Sequence, residues 1–218
     1  SQVPKYLETD HGARLVIIDE AHHGAANSYQ ALFADPTLGI LGLTATPSRH
    51  DGRPLDFARE SYSIGFPDLV DLGVLVRPEV IQVPISGTCL LASTTDRDSL
   101  ELLNTEQRNN EIIDALMRDS EKYRKVILYV GTVAHAKALY LALRQSQLAA
   151  EYESISYITG ESRSRYIVST GQAVSEDRTE FIKAIKATAR AVIVNVDVLT
   201  EGYDDPTVSR VHCEIRQI

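Results

Sequence analysis

The chain has 218 residues, of which 44% are hydrophobic and 24% charged, with 22 Lys and Arg against 30 Asp and Glu and a net charge of −8. That is room for one large globular domain or two small ones, and no apolar run exceeds strand length, so a membrane-spanning helix is excluded and no membrane partner is expected. The acidic balance argues against passive coating of nucleic acid, and it is even along the chain: residues 1–78 carry 6 basic against 10 acidic side chains, residues 79–218 carry 16 against 20.

The elements follow in chain order. Leu15-Val16-Ile17-Ile18 is a continuous apolar run, the pattern of a strand buried on both faces. A helix is expected over 28–34. Gly39 to Leu43 reads as the next strand, ended by Thr44 to Pro47, and 48–54 as a polar loop. Pro67 to Leu72 predicts a short helix closed by Gly73. A strand is expected over Glu79 to Ile85, with the domain boundary close to Pro78.

Beyond that boundary, Leu100 to Met117 predicts one helix and Val126 to Val130 a strand, with Ala134 to Leu143 the helix behind it. Ser154 to Ile158 is another strand, ended by Thr159-Gly160. The polar stretch Glu161 to Glu176 lacks apolar periodicity and reads as a loop or insertion. Asp177 to Ala187 is a helix with Phe181, Ile182 and Ile185 on one face. Ala191 to Val196 and Val208 to Cys213 are the last strands. Strands alternating with helices predict an α/β fold with a mostly parallel sheet.

Only Cys89 and Cys213 are present, and Ser1-Gln2-Val3-Pro4-Lys5 is not a secretory signal, so a reduced, cytoplasmic setting is expected.

Asp19-Glu20-Ala21-His22 follows the first strand directly. Carboxylates at a strand end are costly unless they bind something. One can hold Mg²⁺ while the next orients or deprotonates a water, the metal half of a phosphoryl-transfer site. The alternative is an acidic helix start that caps its own N–H groups. His22 and His23 have no Cys or His partners at zinc spacing.

Three segments occur in a fixed order at strand ends. The first runs from Ile17 through Asp19-Glu20-Ala21-His22 to Ala26, with Ser28-Tyr29. The second is Leu41-Gly42-Leu43-Thr44-Ala45-Thr46-Pro47, with Asp51-Gly52. The third runs from Asn195 through Leu199-Thr200-Glu201-Gly202-Tyr203-Asp204 to Pro206. They resemble motifs II, III and V of the DEAH/DEAD-type, type III restriction subunit-like branch of the superfamily II helicases.

The resemblance implies two RecA-like lobes with parallel sheets. Residues 1–78 would be the C-terminal part of lobe 1, and residues 79–218 most of lobe 2. It implies ATP and Mg²⁺ as cofactors and nucleic acid as partner, DNA favoured over RNA. Asp19 would hold Mg²⁺ through water, Glu20 would position the attacking water and accept its proton, and His22 would link this site to motif III. Thr44 and Thr46 would relay hydrogen bonds toward the nucleic acid. Thr200 and Gly202 would contact its backbone, since Gly admits close approach and a Thr hydroxyl donates to phosphate. Asp204 would face the ribose or the domain cleft.

Val130-Gly131-Thr132 resembles motif IV, where Thr132 would bind a phosphate at a helix N-terminus or act as a simple N-cap. Thr159-Gly160 has a similar position. Arg49, Arg53, Arg163 and Arg165 are either nucleic-acid contacts or solvated loop residues.

The Walker A loop has no counterpart in the 18 residues before Asp19, and motif VI would begin at or beyond Arg216. A central segment of a larger motor is expected, inactive alone and partnered by the rest of that motor. A restriction-enzyme motor subunit and a non-catalytic nucleic-acid-binding module of helicase fold are the other two readings.

Overall fold

The computed structural model describes residues 15–23, 32–46, 57–81, 97–200 and 202–213. They divide into two compact units, Ser1–Glu79 and Val80–Ile218.

In the first unit, β1 (Leu15–Ile18) and β2 (Gly39–Gly42) pair in parallel, with Ile18 opposite Gly42. The ladder continues past the strand ends: the Leu43 amide donates to the Ile18 carbonyl at 2.8 Å, and the Ala21 amide to the Leu43 carbonyl at 2.9 Å. Ile18, Ala21 and Leu32 form the buried core, flanked by Ile40 and Phe57. Gly42 is required there. A Cβ on it would lie 2.4 Å from the Phe57 ring and 2.9 Å from the Ala21 methyl.

The expectation of a strand buried on both faces fails for β1. Leu15 and Ile17 are 58% and 59% exposed. Among the described residues β1 has one neighbouring strand and one packed face, so alternate side chains stay more than half exposed. Helix α1 (Phe66–Asp71) opens on Pro67 in its first turn and is followed by Gly73 at φ +71°, much as expected. The strand expected from Glu79 is not formed over residues 79–81; residues 82–85 lie outside the described residues, as does most of the helix expected over 28–34.

The second unit is a six-stranded sheet in the order β6-β5-β4-β7-β3-β8, built from β3 (Lys125–Tyr129), β4 (Ser154–Ile158), β5 (Arg163–Ile167), β6 (Gln172–Val174), β7 (Ala191–Asn195) and β8 (Arg210–Cys213). β4, β7, β3 and β8 are parallel; β5 and β6 extend the sheet antiparallel from β4. Helices α3 (Glu106–Arg118) and α4 (Val133–Gln145) supply Ile112, Leu116, Leu139 and Leu143 to one face, against Val126, Leu128, Val192 and Val194. Helix α5 (Arg178–Ala187) puts Phe181 and Ile185 against Ile127, Ile158 and Ile193 on the other. Each strand therefore sends alternate residues to opposite layers, and β7 is buried throughout. This is a mixed α/β fold with a mostly parallel sheet, as expected of a RecA-like lobe.

Two expectations are corrected here. The single helix over Leu100 to Met117 is two, α2 (Arg97–Glu101) and α3, separated by a turn. Thr105 starts the second by accepting the Arg108 amide at 3.3 Å. The stretch Glu161 to Glu176 is a β-hairpin, not a loop. Apart from Tyr166, which packs against the main core, its described contacts are largely polar, so no hydrophobic alternation marks it. The Arg165–Glu176 ion pair joins β5 to the segment after β6, and the Arg144 guanidinium lies 4.3 Å over the Tyr166 ring.

Candidate functional site

In the first unit the acidic pair follows β1 immediately, and the chain turns sharply there. Asp19 accepts the Glu20 amide on Oδ1 at 3.0 Å. Glu20 adopts a left-handed backbone, φ +50°, which is uncommon for a residue with a Cβ. The next residues form one 3-10 turn, Ala21–His23, which buries Ala21 and leaves Asp19 and Glu20 exposed. The strand thus ends by presenting two carboxylates to solvent.

His22 turns the other way. Its Nδ1 lies 2.9 Å from Thr44 Oγ1 and 3.4 Å from Glu20 Oε2. The hydroxyl of Thr44 donates to the Thr46 carbonyl at 3.2 Å and accepts the Thr46 amide at 3.0 Å. One imidazole therefore touches both the second carboxylate and the segment after β2. The structure brings Glu20, His22 and Thr44 together; Thr46 takes part through its backbone. Pro47, Arg49, Arg53, Asp51-Gly52 and residues 24–29 lie outside the described residues.

In the second unit Thr132, Thr159 and the start of the crossover after Asn195 lie at the C-terminal ends of the parallel strands, where open α/β sheets hold ligands. Thr132 ends the turn after β3. It is 3% exposed, accepts the His135 amide at 3.1 Å and donates to Glu101 Oε2 at 2.6 Å. The hydroxyl is occupied as the cap of α4, and a carboxylate stands where the alternative reading needs phosphate. His135 is buried, with Nε2 2.8 Å from Asn109 Oδ1, while Lys137 is exposed. Thr159 is likewise occupied: its hydroxyl donates to the Ser162 carbonyl at 3.0 Å and accepts the Ser162 amide, closing the turn from β4 to β5.

The crossover after β7 differs. It carries no helix from Val196 to Ser209 in its described residues, although parallel strands are commonly joined through one. Side chains fix its path instead. Asn195 Oδ1 accepts the amides of Val198 and Leu199 at 3.2 and 2.9 Å. The Tyr129 hydroxyl donates to the Leu199 carbonyl. Leu199 is buried, which turns Thr200 outward; Gly202 and Asp204 are exposed too. Gly202 has φ +67° and open space around the position of a Cβ. Glu201 and Arg216 lie outside the described residues.

Asp205, beside the candidate Asp204, anchors the crossover: it turns inward, its side chain 3% exposed. Its Oδ2 accepts from Lys125 Nζ at 2.9 Å and from the Tyr203 hydroxyl at 3.0 Å. Its Oδ1 accepts the Thr207 hydroxyl at 2.6 Å and amide at 3.0 Å. Burial acts to raise the Asp205 carboxyl; the Thr207 hydroxyl, the Lys125 ammonium, the Thr207 amide and the Tyr203 hydroxyl outweigh it and hold it at about 2. Burial first, then the bond to Asp205, pushes the Tyr203 phenol up. Lys125 is fully buried and also donates to the Lys186 carbonyl in the last turn of α5, at 3.0 Å. Sequence reasoning missed both Lys125 and Asp205. The signal was a lysine heading an apolar strand and a doubled aspartate before proline.

The first 49 residues carry a match to a known family: residues 2–49 fit the model described as "Type III restriction enzyme, res subunit". Over 210 residues the chain is 27% identical to the "Putative ATP-dependent helicase IRC3" of Saccharomyces cerevisiae, covering 89% of this chain and 28% of that protein. It is 28% identical over 224 residues to "Putative helicase 22" of a Sulfolobus islandicus filamentous virus, covering 94% and 37%. It is 26% identical over 208 residues to the "Putative mitochondrial ATP-dependent helicase irc3" of Schizosaccharomyces pombe, covering 89% and 32%. The chain spans about a third of the length of these relatives.

Proposed function

We propose that this chain, a superfamily II helicase relative of the type III restriction-like branch, is the central part of an ATP-dependent nucleic-acid translocase, with DNA as its track. The observation that carries the proposal is the His22 bridge, which ties the Asp19-Glu20 pair to Thr44.

The donor set suits Mg²⁺–ATP. Asp19 and Glu20 offer hard oxygen atoms, and among the described residues no three His, Cys, Asp or Glu side chains converge on one point. Hard oxygen ligands of this kind would suit Mg²⁺ better than zinc. When bound, the ion neutralises charge on the phosphates. Asp19 would hold it through water. Glu20, exposed beside it, would orient the attacking water and take its proton. His22 would report the state of Glu20 to Thr44 through one ring. Thr200 and Gly202, presented outward by the pinned crossover, would lie against the nucleic-acid backbone, and Asp204 would face the ribose.

The chain alone is expected to hydrolyse ATP negligibly, because it supplies neither a phosphate-cradling glycine loop nor arginine fingers among the motifs identified. The restriction-subunit match at residues 2–49 favours one second reading, a motor that moves on duplex DNA without separating its strands.

The test is ATP hydrolysis by the intact parent protein with single-stranded DNA, duplex DNA or RNA. Stimulation by one of them establishes a motor and names its track. A folded parent that no nucleic acid stimulates leaves only a non-catalytic binding module.

A further inference from the structure

We infer that Lys125 is a positioning residue for nucleic-acid contact: a buried clamp that holds the Thr200–Gly202 segment in place through Asp205. The inference rests on the reading above, in which Thr200 and Gly202 touch the nucleic-acid backbone.

The argument is one of suspended chain. The crossover from β7 to β8 has no helix of its own in the described residues, so no ladder of backbone bonds sets its shape. It is fixed near its start, where Asn195 takes the Val198 and Leu199 amides and Tyr129 takes the Leu199 carbonyl. It is fixed again at Asp205, six residues later, by Lys125, Tyr203 and Thr207. Thr200 and Gly202 lie on the short span between those points.

Lys125 is the first residue of β3, so the lower fixing point is the sheet itself. The ammonium also binds the last turn of α5 through the Lys186 carbonyl, at the negative end of that helix. One group therefore joins sheet, helix and crossover. Tyr203 reinforces it: its ring packs among the apolar residues of this layer, and Lys186 Nζ lies 5.2 Å over its face.

Removing the Lys125 charge would leave the Asp205 carboxylate buried and short of its cation. Such a group is costly, and the cheapest relief is for the crossover to lift and let water reach it. Thr200 and Gly202 would then move with it. Contact with the nucleic acid weakens, while the turnover of what still binds is less affected.

The experiment uses the intact parent protein and whichever of single-stranded DNA, duplex DNA or RNA stimulates its ATP hydrolysis. Lys125→Met should raise the half-saturating nucleic-acid concentration by about ten- to a hundred-fold, the worth of a hydrogen bond to a charged phosphate. The maximal rate should fall much less, the signature of lost binding rather than lost chemistry. Lys125→Met with Asp205→Asn, which removes the stranded charge, should recover part of the loss. Tyr203→Phe, which deletes a single bond to Asp205, should shift the same concentration in the same direction by a smaller factor. If Lys125→Met does not fold, Tyr203→Phe decides. Folded variants with unchanged half-saturating concentration, beside a Thr200→Ala control that is shifted, overturn the inference and leave the motor reading intact. An unshifted Thr200→Ala overturns the contact itself, and the inference with it.

Discussion

His22 Nδ1 stands 2.9 Å from Thr44 Oγ1 and 3.4 Å from Glu20 Oε2, so a single ring nitrogen spans two segments that are 22 residues apart in sequence. Thr44 in turn holds the backbone of Thr46 at both its amide and its carbonyl. Glu20 is thus linked to the segment after β2 through one imidazole ring.

Thr44→Val keeps the shape of the side chain and deletes all three of those bonds. In the intact protein the nucleic-acid-stimulated part of ATP hydrolysis should fall by about ten-fold, the worth of the His22–Thr44 bond, the one of the three that joins the two segments. Unstimulated hydrolysis should change less. A steady-state assay with and without nucleic acid reads both, and equal losses in the two rates would count against a coupling role.

Glu20→Gln removes the group read as general base while preserving size. Hydrolysis should drop by about a hundred- to ten-thousand-fold, with ATP still bound. Single-turnover hydrolysis together with nucleotide binding by fluorescence checks this. A variant that hydrolyses normally would assign the proton to another group.

Gly42→Ala places a methyl against the Phe57 ring and the Ala21 methyl. The Phe57 ring can give way, but Ala21 is held in the turn. The first unit should lose about 1–2 kcal/mol, a modest overpacking penalty. Urea unfolding followed by a probe in that unit measures it; no change would mean the turn at Ala21 moves freely.

Asp205 sets an acid limit on the second unit. Its carboxyl lies at about 2 when folded, below the ordinary 3.8. A carboxyl depressed on folding contributes stability that is fully present above its ordinary value and is lost as pH falls through the folded one. The second unit should therefore weaken between about pH 4 and pH 2, and Asp205→Asn should flatten that part of the profile. Urea midpoints measured across this range decide it; an unchanged slope in the variant would remove Asp205 as the source.

The parts of this molecule that were legible in the sequence are those written in apolar runs. β3 and β7 bury nearly every side chain on one face or the other, and such strands leave a continuous hydrophobic signature. The helices α3, α4 and α5 each begin at a Thr or Asp that accepts an amide, which is also visible in sequence. The join between α2 and α3 was missed although Thr105 carries that signature, because Leu102 and Leu103 continue the apolar pattern across it. The hairpin β5–β6 was missed for the opposite reason. It is held by Arg165, Glu176 and the Arg144–Tyr166 stack, and polar fastening has no period.

The same divide runs through the candidate site. Asp19, Glu20, His22 and Thr44 stand in short motifs whose order is readable. Thr132 was readable as a cap or a phosphate ligand, and its geometry is that of a cap. Lys125 and Asp205 are 80 residues apart and find each other only when the crossover runs back along the sheet. A buried ion pair of that kind is a property of the path, which no local pattern records.

The left-handed backbone at Glu20 has a consequence for variants raised under selection. A residue with a Cβ held at that φ is strained by roughly 1–2 kcal/mol, and glycine would relieve it. Position 20 is thus where heat tolerance and the chemistry proposed for Glu20 would demand different amino acids. A library screened for melting temperature alone would drift there toward glycine or asparagine, and the clones that rose in stability would be those that had surrendered the carboxylate.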